Sequence, residues 1–89
     1  GSAKTSIIVT LDNRPGALYN ALGVFARKGI NLTKIESRPS KQSPWEYLFF
    51  IDFQGNLADA NVQETIDEIK EFTRDMIILG SYPEGRTLP

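Results

Sequence analysis

Histidine is missing from this sequence, and so is cysteine. Histidine is the usual general base near neutral pH and the commonest metal ligand, so its absence removes Ser/His and Cys/His nucleophilic chemistry and most zinc sites. Without cysteine there are no disulfides and no thiolate metal sites, and nothing points to an oxidising compartment. Large net charge is lacking as well: ten basic residues stand against eleven acidic ones, for a net charge of −1. No broad basic field exists to attract nucleic acid or an anionic membrane. No apolar run approaches the roughly 18 residues of a membrane span, and nothing at the start resembles a signal peptide, so the expected compartment is the cytoplasm.

What remains is an ordinary globular composition, 40% hydrophobic and 24% charged over 89 residues. That is one small domain, able to bury only about 60–70% of its unfolded surface, so partner surface can matter to its stability. Gly1 and Ser2, with Ala3 at most, read as an expression remnant, residues 4–83 as the domain and residues 84–89 as a tail. Most of the acids, Asp59, Glu64, Asp67, Glu68 and Glu71, recur at helical spacing. They read as a solvated helix face and not as paired catalytic carboxylates.

Along the chain, "TSIIVTL" places Ile7, Val9 and Leu11 at period two and predicts a strand. "DNRPG" breaks it; Pro15 suits a first helical turn, with Asp12 or Asn13 as caps, and Leu18, Leu22 and Phe25 follow at i, i+4, i+7. That helix is expected to end near Gly29. Leu32–Pro39 forms a second, weaker strand, and "SKQSP" supplies the turn after it. Glu46–Phe53, "EYLFFIDF", is a strong strand with Tyr47, Phe49, Ile51 and Phe53 on one face and Leu48 and Phe50 on the other. A second helix is capped by Asp59 or by Asn61, which stands at capping-box spacing from Glu64, and carries the stripe Val62, Ile66, Ile69 and Phe72. "MIILGSYP" closes the series as a last strand.

The order β-α-β-β-α-β predicts the α+β, ferredoxin-like plan: an antiparallel sheet of order 4-1-3-2 with both helices on one face. In that plan the polar run "NLTKIESRPSK" becomes an edge strand. One reading of Glu36, Arg38 and Pro39 is edge protection. The other is that the edge pairs with a second copy and extends the sheet, which fits an aromatic strand that wants cover on both faces. "RPGAL" is similarly open. Gly16 either permits a tight strand-to-helix turn or lets a small anion such as a carboxylate approach the free N–H groups of the helix start. Tyr19, one step on, either lines a pocket or is an ordinary half-buried aromatic, and the second is the expectation.

"PGALYNALGVFARKGINLTKIESRPSKQSPWEYLFFIDFQG" closely resembles the regulatory ACT domain of prephenate dehydratases, which carry a Gly-Ala-Leu start to the first helix and a Glu-Ser-Arg-Pro strand. The "SPW" turn is similar to the type fused to chorismate mutase. The resemblance runs from about Lys4 to Pro83 and implies a module that binds L-phenylalanine between two side-by-side domains for feedback inhibition, without cofactor or metal. Gly16, Ala17 and Leu18 of one chain are then expected to face Asn31, Leu32 and Thr33 of the other, while Glu36, Ser37 and Arg38 shape the site and the paired edge. Asn31 and nearby carbonyls suit the ligand ammonium. Glu36 and Arg38 share a strand face and are expected to pair with each other or across the dimer.

The catalytic dehydratase domain, which turns prephenate into phenylpyruvate, would be this domain's partner in the parent chain, and the domain alone is expected to have no turnover. The alternatives are a dimerisation module with no ligand and an RNA-binding RRM-like domain. An RRM shares the topology, yet its basic-Gly-aromatic lead-in is replaced here by "PWEY".

Overall fold

A computed structural model describes residues 3–84, so Gly1 and Ser2, expected to be a remnant, and most of the expected tail lie outside the described residues. Six elements follow in the expected order: β1 (Ala3–Asp12), α1 (Ala17–Arg27), β2 (Leu32–Pro39), β3 (Glu46–Gln54), α2 (Ala60–Lys70) and β4 (Asp75–Pro83). The four strands form one sheet of order β2-β3-β1-β4, and every pairing in it is antiparallel. This is the ferredoxin-like arrangement that the element order predicted.

Strand alternation divides the sheet into two faces. On the inner face Ile7 pairs with Ile51, Thr5 with Phe53, Val9 with Phe49 and Leu11 with Tyr47. Both helices cover this face, and Ile7, Val9, Leu11, Ile51 and Phe53 are buried against Ala17, Ala21, Val24 and Phe25 of α1 and Val62, Ile66 and Ile69 of α2. Phe25 and Phe53 meet at 5.1 Å between ring centroids, tilted by 53°. Among the described residues the outer face, with Ile8, Leu48, Phe50 and Ile77, carries no helix. The deeply buried Ser6 side chain on this face is held by Asp52 and Tyr82.

The helices differ from the sequence expectation in register and capping. The buried stripe of α1 is Ala17, Ala21, Val24 and Phe25, while Leu18 and Leu22 pack at its margin, because small alanines let the helix sit close to the sheet. Neither Asp12 nor Asn13 caps α1; its N-cap is Gly16, in the left-handed region at φ 86°. The Asn61–Glu64 box does not form either. Asn61 lies inside α2 and its side-chain amide donates to the Lys28 carbonyl at 3.1 Å, joining the two helices, whereas Asp59 is the N-cap residue and its carboxylate accepts the Asn56 N–H at 3.0 Å. Phe72 falls beyond the end of α2 and is partly exposed, so Thr65 takes the fourth place in the buried stripe, donating to the Asn61 carbonyl at 2.7 Å.

Gly55, between β3 and α2, sits at φ 123°, and a Cβ there would lie 2.6 Å from Val62 Cγ2 in the core. Gly55→Ala therefore combines backbone strain with overpacking. We expect a loss of about 2–5 kcal/mol, read as a lower urea midpoint at unchanged slope.

Candidate functional site

The strand register places both ends of the polar run. Pro39 pairs with Tyr47, which on its other side pairs with Leu11, so the end of β2 lies beside the end of β1 and the start of α1. Leu32 pairs with Phe53, itself opposite Thr5, at the other end of the sheet. Asn31 precedes it, its carbonyl accepting the Gln54 N–H at 2.9 Å. The eleven residues of α1 put about 16 Å between the Gly16 turn and this second end.

One chain therefore does not unite the residues singled out from the sequence. Gly16, Ala17 and Leu18 lie at one end, with Ser37 on the same inner side. Asn31 and Leu32 lie at the other. Thr33, Glu36 and Arg38 line a separate groove on the outer face, with Thr33 at a break in the β2–β3 register, a β-bulge. Glu36 and Arg38 do pair, at 3.7 Å, with the guanidinium over the Phe50 ring at 5.0 Å from its centroid. Both side chains are largely exposed, so the pair contributes at most about 1 kcal/mol.

The Gly16 turn is the more developed half. An open groove of about 360 Å³ lies between the turn and β2, with Leu18, Tyr47 and Phe49 as its apolar floor and Ser37 at its side. At the helix start the Ala17 N–H donates to the Arg14 carbonyl at 3.3 Å and the Asn20 N–H to the Gly16 carbonyl at 2.9 Å. The intervening N–H groups of Leu18 and Tyr19 have no backbone carbonyl partner among the described residues, and no acidic side chain stands in the first turn. Free donors at the positive end of a helix favour an anion. Tyr19 is 80% exposed beside them, contrary to the half-buried position expected for it, because it faces away from the inner-face core.

Four further contacts pin the turn, and the sequence reading missed them. The Asn13 N–H donates to the Trp45 carbonyl at 2.7 Å, tying the turn to the β2–β3 hairpin. Asp12 accepts from Arg74 Nε at 2.6 Å through one carboxylate oxygen and from Arg14 Nε at 3.4 Å through the other. The hydrogen bond from Arg74, above all, holds the Asp12 carboxyl below its ordinary pKa, against a smaller opposing effect of desolvation. The Arg74 N–H also donates to the Thr10 carbonyl at 2.8 Å. Arg74 is distant in sequence, and no local pattern announces it.

The family pattern described as the ACT domain matches residues 5–71. A bifunctional chorismate mutase/prephenate dehydratase of Aquifex aeolicus is 52% identical over 96% of this chain, which covers 24% of that protein. Among solved structures, a prephenate dehydratase from Arthrobacter aurescens in complex with L-Phe superposes with a TM-score of 0.85 at 37% identity, covering 92% of this chain and 27% of that one. GqqA, described as a novel type of quorum quenching acylase, superposes at 0.88 with 34% identity over 93% of this chain and 43% of its own. The chain thus spans about a quarter of the length of the curated relatives it matches, and chains named for different activities share its shape. The fold, the Gly-Ala-Leu helix start and the matched residues together establish that this chain belongs to the ACT domain family.

Proposed function

We propose that this domain, spanning residues 4–83, binds L-phenylalanine between two copies of itself and thereby inhibits a dehydratase that forms phenylpyruvate from prephenate. The parent reaction is inferred from the sequence relatives, and the ligand from the neighbour that holds L-Phe. The catalytic domain would lie in the remainder of the parent chain. No helix among the described residues is long and apolar enough to cross a membrane, and we assign the protein to the cytoplasm, where such biosynthesis would draw on its precursors.

The observation that carries the reading is the polarity of the β2 edge. If β2 pairs antiparallel with its own copy about a two-fold axis, the Leu32 end of one strand comes opposite the Pro39 end of the other. Asn31, Leu32 and Thr33 then approach the partner's Gly16 turn, and the symmetry builds the same junction twice. A zwitterionic amino acid finds donors for its carboxylate at the helix start, acceptors for its ammonium at Asn31 and nearby carbonyls, and an apolar slot over Leu18 and Phe49. Feedback then follows by linkage. L-Phenylalanine shifts the parent toward the arrangement it binds better, by no more than the difference in affinity, typically about 1–3 kcal/mol.

Calorimetric titration with L-phenylalanine, L-tyrosine, D-phenylalanine and L-leucine, with mass by light scattering, tests this. The expected result is saturable, L-phenylalanine-selective binding at one ligand per chain on a dimer. A stable dimer that gives no heat would favour a pure assembly module; a monomer that gives no heat would remove the edge-pairing basis.

A further inference from the structure

Within the L-phenylalanine reading, on which this inference rests, the free N–H groups of the helix start are not the only groups suited to a carboxylate. Arg14 is the one basic side chain lining the groove over Leu18 and Phe49 among the described residues, and Asp12 is the one acidic side chain there. Asp12 is already committed, its two oxygens shared between Arg74 and Arg14. The shorter contact, 2.6 Å, belongs to Arg74, while Arg14 is held more loosely at 3.4 Å through Nε, with its side chain 64% exposed.

Two guanidiniums against one carboxylate leave the trio with one net positive charge, and Arg14 is the guanidinium that lines the groove. Of the remaining nearby acids, Glu46 stands opposite Asp12 in the register and attracts Arg74, while Glu71 lines a small cavity behind the turn that Arg14 and Arg74 both border. Neither lines the groove on the Leu18 side.

We propose that Arg14 is a carboxylate-binding residue of this site, aimed by Asp12, which Arg74 fixes in turn. Anchored through Nε, the guanidinium keeps its terminal nitrogens free to donate to a carboxylate at the helix start. Asp12 is then a positioning residue; it does not touch the ligand. The same groove would discriminate against a ligand whose carboxylate has been neutralised.

The test compares L-phenylalanine with L-phenylalaninamide, which keeps the ring and the ammonium but lacks the charge. Both would be titrated into the wild-type domain and into Arg14→Gln, Arg14→Lys and Asp12→Asn, by calorimetry or by NMR shifts where binding is weak. Wild type should prefer the acid by about 10- to 100-fold, the scale of a hydrogen bond to a charged group. In Arg14→Gln the acid should lose about that factor while the amide is unchanged; Arg14→Lys should keep an intermediate preference. Asp12→Asn should weaken the acid several-fold, with no further loss when combined with Arg14→Gln.

Equal losses for acid and amide in Arg14→Gln would mark Arg14 as merely structural and overturn the proposal, as would an unchanged affinity for the acid. A wild-type dimer that binds neither ligand would instead sink the underlying L-phenylalanine reading, and this assignment with it.

Discussion

Phe53→Ala should be the most damaging single truncation in this domain, with an expected loss of about 3–5 kcal/mol. Phe53 has no exposed surface, packs at a tilt on Phe25 and lies in the register between Thr5 and Leu32, so this residue sits between β1 and β2 with its ring against α1. The cavity left behind cannot collapse easily, because its walls are strands fixed by ladder hydrogen bonds on both sides. A domain of this size has only about 5–13 kcal/mol of stability in total, so about a quarter of it or more would go. In thermal unfolding at one fixed protein concentration the midpoint should fall by more than about 12 °C.

Ile77→Ala is the matched control. Ile77 is a large aliphatic in β4, but it is 52% exposed on the outer face, so its loss should cost under about 1 kcal/mol. Equal losses at the two positions would contradict the one-sided core and imply that the outer face is covered in solution.

Much of this fold was legible because the signal for it is local. Period-two alternation in "TSIIVTL" and "EYLFFIDF" sorted the side chains onto two faces, and the structure buries Ile7, Val9, Leu11, Ile51 and Phe53 together; which face of "EYLFFIDF" the helices cover was left open. The element order fixed the sheet order, since few ways exist to connect six such elements without crossing. The cap of α1 was misread for a different reason, whereas Asp59 was among those expected for α2. Asp12 has the right chemistry for a cap, but its carboxylate is more favourably used by two guanidiniums, one of them from the loop before β4. No inspection of "LDNRPG" reveals a competitor 62 positions away.

The candidate site divides in the same way. The sequence brought forward the residue types, and the spacing within "GAL" and "ESRP" is visible at a glance. What it lacked was the knowledge that alternation sends Ser37 to the inner side and its neighbours Glu36 and Arg38 to the outer one at this register. It also gave no hint that "SPW" braces the Gly16 turn through the Trp45 carbonyl, since that bond is made by the backbone and any residue at position 45 could accept it. Side-chain identity carries no signal for a contact of that kind.

Gly16→Ala should abolish most ligand binding while leaving the domain folded, and the two effects have separable causes. At φ 86° any L-residue with a Cβ is strained, by about 1–2 kcal/mol for alanine, and that loss should appear in urea unfolding of the ligand-free domain. Within one chain, however, the new methyl would find no atom within 4 Å beyond the adjoining residues. It meets no steric resistance from its own protein. Any further penalty must therefore come from something that arrives at the turn from outside, which on the present reading is the partner's Asn31 end or the amino acid between them. Light scattering separates these two. If the variant remains a dimer and its affinity for L-phenylalanine falls by more than about tenfold, the methyl occupies ligand space; if the dimer itself weakens in parallel, it occupies partner space. Unchanged affinity and unchanged mass would mean that nothing approaches Gly16 at all, and the glycine would then be explained by its backbone angle alone.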